Sequence, residues 1–136
     1  MEIFFEEIKI ESKEKYEIID ITNYIEKAID KSKIKNGICF IFTPHATCCL
    51  IANENENYLK EDIIKKIKEE FENNWKHNLI DDNASSHLAS SFIKQFLIYP
   101  IKNSKLIKGS WQNALLIELD GPRERRVIIE IIGSLK

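Results

Sequence analysis

The chain has 136 residues, 43% of them hydrophobic and 31% charged, with a formal net charge of −2. That balance suits a globular protein able to bury a substantial core, and one domain over residues 1–136 is expected. It lacks the basic excess of a nucleic-acid binder, leaving only a local patch at Arg123, Arg125 and Arg126.

No apolar run reaches the roughly 18 residues of a membrane span. The start, Met1 to Glu7, lacks the basic stretch and long apolar segment of a secretory signal. Of the three cysteines, Cys48 and Cys49 are adjacent and Cys39 stands apart, which is no disulfide framework. A reducing, cytoplasmic setting is expected, with neither membrane nor nucleic acid as a partner.

Met1 to Ile10 is rich in strand-forming Ile and Phe, and Tyr16 to Ile19 reads as its hairpin partner. Asp20 or Thr22 then caps a helix in which Ile21, Ile25, Ala28 and Ile29 recur at helical spacing. Asn36-Gly37 is expected to end that element and turn the chain. Ile38 to Phe42 predicts a buried strand stopped by Thr43-Pro44, which places His45 at a strand end or bulge. Cys48 to Ala52 predicts a short strand running into Asn53-Glu54-Asn55.

Leu59, Ile63, Ile67 and Phe71 form a helical stripe closed by Asn73-Asn74, and the lysines and glutamates between them are a solvated face. Asn78 to Asn83 reads as loop, and Asp82 or Asn83 caps a helix from Ala84 to Ile93. Tyr99-Pro100-Ile101 and Lys105-Leu106-Ile107 are edge or hairpin material. Two long strands follow, Trp111 to Leu119 and Arg125 to Ile132, joined by a turn at Gly121-Pro122. This order predicts an α+β fold of mostly antiparallel β-sheets packed with about three helices. Ile128, Ile129, Ile131 and Ile132 make the last strand apolar on both faces, so helices, a second sheet or another subunit should cover both.

The polar positions that carry chemistry centre on three histidines, each at a polar break. Histidine serves near neutral pH as base, acid or metal ligand. His45 follows a proline stop between Thr43 and Thr47; its plain alternative is a strand-end ring satisfied by a backbone carbonyl. His77 follows Trp75, whose expected role is core packing at the end of the long helix, with lining a pocket as the alternative. His87 follows Asp81-Asp82-Asn83-Ala84-Ser85-Ser86, where a helix cap explains Asp82 but leaves His87 unexplained.

Glu54 at a strand exit is a candidate acid, base or ligand, and Asn53 a candidate substrate contact. Alternation from Trp111 puts Glu118 on a face with Ala114 and Leu116. A carboxylate there needs donors or a cation. Arg123 or a histidine can supply that, and an internal Glu118–Arg123 ion pair is the structural alternative. Phosphate-loop, dinucleotide, HExxH, CxxC and GxSxG motifs are all absent.

Taken together, Phe42-Thr43-Pro44-His45-Ala46-Thr47, Asn53-Glu54, His77, Asp82-Asn83-Ala84-Ser85-Ser86-His87-Leu88, Pro100-Ile101, Gly109-Ser110-Trp111-Gln112 and Glu118-Leu119-Asp120-Gly121-Pro122-Arg123-Glu124-Arg125-Arg126 resemble the YjbQ family across essentially the whole chain. The resemblance implies a homotrimer with polar pockets near subunit boundaries and a secondary thiamine-phosphate synthase activity. Such an enzyme joins hydroxymethylpyrimidine diphosphate to thiazole phosphate and releases diphosphate, so a small phosphorylated metabolite is the implied partner.

On this resemblance His45, His77, His87 and Glu118 are the catalytic candidates, and the three histidines are also candidate ligands of a divalent metal, zinc or magnesium. Thr47, Asn53, Ser86 and Arg123 are expected to hold substrate or phosphate, with Asp82 and Glu54 orienting a histidine from behind. A metal-dependent phosphoester hydrolase and a non-catalytic trimeric metal- or metabolite-binding protein are the alternatives. The chain departs from the family pattern at Ala46, Lys94, Ser104 and Ser110, where the family usually carries Thr, Gly, Gly and Thr.

Overall fold

Period-two burial organises most of the chain. In the computed structural model, which describes residues 1–136, the elements are β1 (Glu2–Glu11), β2 (Glu17–Asp20), α1 (Thr22–Ser32), β3 (Asn36–Phe42), β4 (Cys48–Asn53), α2 (Asn57–Phe71), α3 (Ala84–Ile93), β5 (Phe96–Lys102), β6 (Lys105–Leu106), β7 (Asn113–Glu118) and β8 (Glu124–Ser134), with a 3₁₀ turn at Lys76–Leu79. Strands β1-β8-β3-β5-β6 form one sheet and β2-β7-β4 a second. Every pairing is antiparallel, so the predicted α+β class with three helices holds.

The two sheets face each other across the main core. Val127, Ile129 and Ile131 of β8, Cys39 and Ile41 of β3, and Leu97, Tyr99 and Ile101 of β5 meet Cys48 and Leu50 of β4 and Ala114 and Leu116 of β7. Helix α1 contributes Ile25, Ala28 and Ile29 to the same core. A smaller cluster lies behind the second sheet, where Cys49, Ile117 and Leu119 pack on Ile67 of α2 and Ala89 of α3. Strand β7 is therefore sandwiched, which explains its run of buried side chains on both faces.

Local signals set the helix ends, with two shifts from expectation. Asp20 Oδ1 accepts from the Thr22 backbone N–H at 2.9 Å and the Thr22 hydroxyl at 2.6 Å, performing the predicted capping from just outside the helix. Glu56 caps α2 through the backbone N–H groups of Tyr58 and Leu59, so that helix begins ahead of its apolar stripe.

Asn36-Gly37 is not a turn. Helix α1 ends at Lys33 in the left-handed conformation (φ 61°), and Asn36 and Gly37 open β3. Gly37 is there for close approach: a Cβ would sit 2.0 Å from the carbonyl oxygen of Ile132 on β8. The tight turn comes later, at Asn103-Ser104 between β5 and β6, where φ is 51° and 65°.

The expectation that β8 is covered on both faces is met only on one side within the chain. The outer face of the five-stranded sheet is open and largely apolar, with Ile3 67%, Phe5 60%, Ile38 44%, Phe96 43% and Ile98 55% exposed, and Glu130 of β8 lies on it in register between Phe5 and Phe40. Phe40 stacks between Phe42 and Phe96 at ring-centroid distances of 6.2 and 5.9 Å on that face. No helix is long and apolar enough to cross a membrane.

Candidate functional site

The predicted site residues separate into three places. At the end of β3, Pro44 directs the chain across the start of β8, and His45 Nε2 accepts a hydrogen bond from the Arg126 backbone N–H at 2.9 Å. That nitrogen therefore carries a lone pair, and the neutral ring holds its proton on Nδ1. Burial, then the charges of Arg125 and Arg126, hold the His45 pKa below the ordinary histidine value.

A pH dependence follows with a definite sign. The unfolded chain takes up this proton first as pH falls, so the contribution of His45 to stability is present above about pH 6.5 and is lost as pH drops through the lowered folded value. The stability difference between wild type and His45→Gln, read from urea unfolding across that range, should narrow on acidification. A gap independent of pH would contradict the assignment.

Glu118 sits beside this corner and is fully buried. It does not pair with Arg123. Arg125, 3% exposed at its side chain, donates from Nε to Glu118 Oε1 at 2.8 Å and from Nη2 to Oε2. Ser12 donates its hydroxyl to the same carboxylate, as do the backbone N–H groups of Leu119 and Asp120. Burial pushes the Glu118 carboxyl up, but the hydrogen bonds from Arg125, Ser12 and Asp120 outweigh it and hold the group below its ordinary value.

Thr47 belongs to this network too: its carbonyl and hydroxyl oxygens both accept from Arg125 Nη2 at 2.9 Å. Glu118 and Thr47 are thus committed to structure, since their oxygens are occupied inside the fold. Alternation contained the signal for Arg125, because it shares a face of β8 with Val127, Ile129 and Ile131.

The second place joins the 3₁₀ turn, helix α3 and the β7–β8 loop. His77 in the 3₁₀ turn and His87 on α3 lie edge to face, with ring centroids 4.9 Å apart. His77 Nε2 meets Asn83 Oδ1 at 3.0 Å, and Asn83 Nδ2 donates to Asp120 Oδ2 at 3.1 Å. Arg123 closes the chain of contacts, donating from Nη2 to Asp120 Oδ2 at 3.0 Å and from Nε to the Asp120 carbonyl at 2.7 Å.

Asn83 is the helix start of α3, yet its side chain makes no capping bond and turns to this network instead. Capping chemistry in the sequence concealed that role. Ser86, by contrast, is buried and donates its hydroxyl to the Leu119 carbonyl at 2.6 Å, so it tethers α3 to the sheet rather than facing a ligand. Asp82 lines a small all-polar cleft of about 150 Å³ nearby, with Lys15, Glu72, Asn73, Asn78 and Ser85. Trp75 does not pack into the core: it is 38% exposed and donates its indole N–H to the Phe71 carbonyl at 2.6 Å at the end of α2.

Asn53 and Glu54 are in the third place. Asn53 pairs with Asn113 at one end of the β4–β7 ladder, while Cys48 pairs with Glu118 at the other. The length of that ladder keeps them away from Glu118 within one chain. Asn53 Oδ1 accepts from the Glu54 backbone N–H at 2.8 Å.

The family model for "UPF0047 protein YjbQ-like" matches residues 6–134. The chain belongs to the YjbQ-like UPF0047 family. A UPF0047 protein of Archaeoglobus fulgidus is 34% identical over 93% of this chain and 99% of its own length. One from Methanocaldococcus jannaschii is 36% identical over 93% and 92%. Among solved structures, a YbjQ-like protein of unknown function from Sulfolobus solfataricus is 47% identical with a TM-score of 0.96, covering 98% of this chain and 99% of that one. A hypothetical protein of Aeropyrum pernix has a TM-score of 0.94 at 33% identity, covering 98% and 100%.

For this YjbQ-like chain the donor set does not fit a metal within one protomer. No three His, Cys, Asp or Glu side chains come together as a metal-holding group, and His45 does not join the His77–His87 pair. Thiol chemistry is equally ill-served: burial pushes Cys39 and Cys49 up to about 12 and raises Cys48 as well. The groups that remain open for a ligand are His77, His87 and the outer side of Arg123.

Proposed function

We propose that this YjbQ-like protein is a thiamine-phosphate synthase that binds diphosphate chemistry at the His77–His87–Arg123 end. The observation that carries this reading is the pair of histidines 4.9 Å apart, linked through Asn83 and Asp120 to an arginine whose Nη1 makes none of the contacts that hold it in place. Two imidazoles beside a guanidinium suit a polyanionic leaving group: arginine neutralises charge, and a histidine supplies a proton to the departing oxygen.

In the condensation, the bond between the pyrimidine methylene and the diphosphate oxygen breaks. The thiazole nitrogen forms the new carbon–nitrogen bond, and diphosphate leaves. The thiazole nitrogen is the nucleophile, so buried cysteines are no obstacle. Electrostatic stabilisation of the departing diphosphate is the main task left to the protein.

The proposed working unit is a homotrimer, supported by the open apolar face of the five-stranded sheet. A second copy seated there would remove Phe5, Ile38 and Ile98 from water. Purified protein supplied with hydroxymethylpyrimidine diphosphate and thiazole phosphate should form thiamine phosphate with one diphosphate released per product. Tight binding of the diphosphate precursor without turnover would favour the metabolite-binding alternative. Diphosphate or phosphate release that does not need the thiazole would favour the hydrolase.

A further inference from the structure

We infer that the Arg123–Asp120–Asn83 chain is a positioning relay that fixes the tautomer of His77 and leaves Nδ1 as its one open lone pair. An ionised Asp120 only accepts hydrogen bonds. Arg123 donates to it from one side, and Asn83 approaches Asp120 Oδ2 at 3.1 Å from the other. Only the amide NH₂ of Asn83 can face that oxygen, because the flipped amide would set two acceptors against each other.

The amide oxygen is thereby forced toward His77 Nε2, 3.0 Å away. An acceptor in that position requires Nε2 to carry the proton, so in the neutral ring Nδ1 is bare. Asn83 is 7% exposed, so water is poorly placed to relax the constraint. A base or hydrogen-bond acceptor aimed by a buried amide is held more tightly than one on an exposed turn would be by itself.

This inference rests on the reading that His77 belongs to the functional site, but its test does not use activity. Imidazole nitrogen–proton correlation spectra of ¹⁵N-histidine-labelled full-length protein, recorded above the ordinary histidine pKa of about 6.5, report which nitrogen bears the proton. Wild type should show His77 wholly in the Nε2–H form. Asp120→Ala removes the acceptor that holds the Asn83 NH₂, so the amide is free to turn and the Nδ1–H form should become populated. Asp120→Asn keeps an oxygen between Arg123 and Asn83 and should retain the Nε2–H form.

A mixed or Nδ1–H population in wild type would overturn the relay, as would a tautomer unaffected by Asp120→Ala in a variant with native circular dichroism. A fixed tautomer in a protein that makes no thiamine phosphate would leave the relay standing and remove the synthase reading.

Discussion

Arg125→Met should lower the free energy of unfolding by about 3–5 kcal/mol, read from urea denaturation at neutral pH. The size follows from what is left behind. Glu118 is fully buried and ionised, and Arg125 is its only charged partner among the donors Ser12, Leu119 N–H and Asp120 N–H. Taking away the guanidinium strands a carboxylate that is wholly removed from water, and it also leaves both oxygens of Thr47 without that donor.

Glu118→Leu combined with Arg125→Met should recover part of the loss, since neither charge then needs solvation. Recovery stays incomplete because Ser12 and two backbone N–H groups lose their acceptor. A loss below about 1 kcal/mol in the single variant would be the behaviour of an exposed pair and would contradict the buried network.

For the proposed homotrimer, combining Phe5→Asp with Ile98→Asp should reduce the particle to one chain, a fall in light-scattering mass to the 15.9 kDa of the single chain. Both side chains point outward from the sheet, 60% and 55% exposed, so the fold of the protomer does not depend on them. In an assembly each would be buried, where a Phe or Ile contributes roughly 1.5–3 kcal/mol and an unpaired carboxylate costs more. The paired substitution is therefore ample to split an interface while leaving unfolding of the single chain nearly unchanged. A wild-type protein that runs as a monomer, or a double variant that keeps its mass, would remove this face as the contact between copies.

Periodicity was a good guide to the elements. The stripes of α1 and α2 and the apolar runs of β3 and β8 lie where expected, and α3 starts at Ala84 just after its expected cap. But β5 runs from Phe96 between β3 and β6 rather than at an edge, and β2 pairs with β7 in the second sheet instead of forming a hairpin with β1. Periodicity failed where one residue type serves two purposes. Asn36-Gly37 looks like a turn because glycine is permissive, but Gly37 answers a backbone contact with β8 that no local pattern encodes.

The same limit governed the site. Glu118 was recognisable as a carboxylate needing partners, yet choosing Arg125 over Arg123 requires knowing which face of β8 turns inward. The three histidines look equivalent in sequence. Only tertiary placement sets His45 against a backbone N–H and His77 against His87. Asn83 was legible as a helix start, and its contact with Asp120, 37 positions away, was not.

The most direct test of the central claim is diphosphate release from hydroxymethylpyrimidine diphosphate plus thiazole phosphate by wild type, His87→Ala and Arg123→Met, with Lys27→Ala on the exposed side of α1 as the control. The wild type should turn over and Lys27→Ala should stay close to it. The other two should fall by about 10²-fold or more, with unchanged unfolding midpoints. No turnover by wild type, or full turnover by His87→Ala and Arg123→Met, would contradict the assignment of this corner as a synthase site.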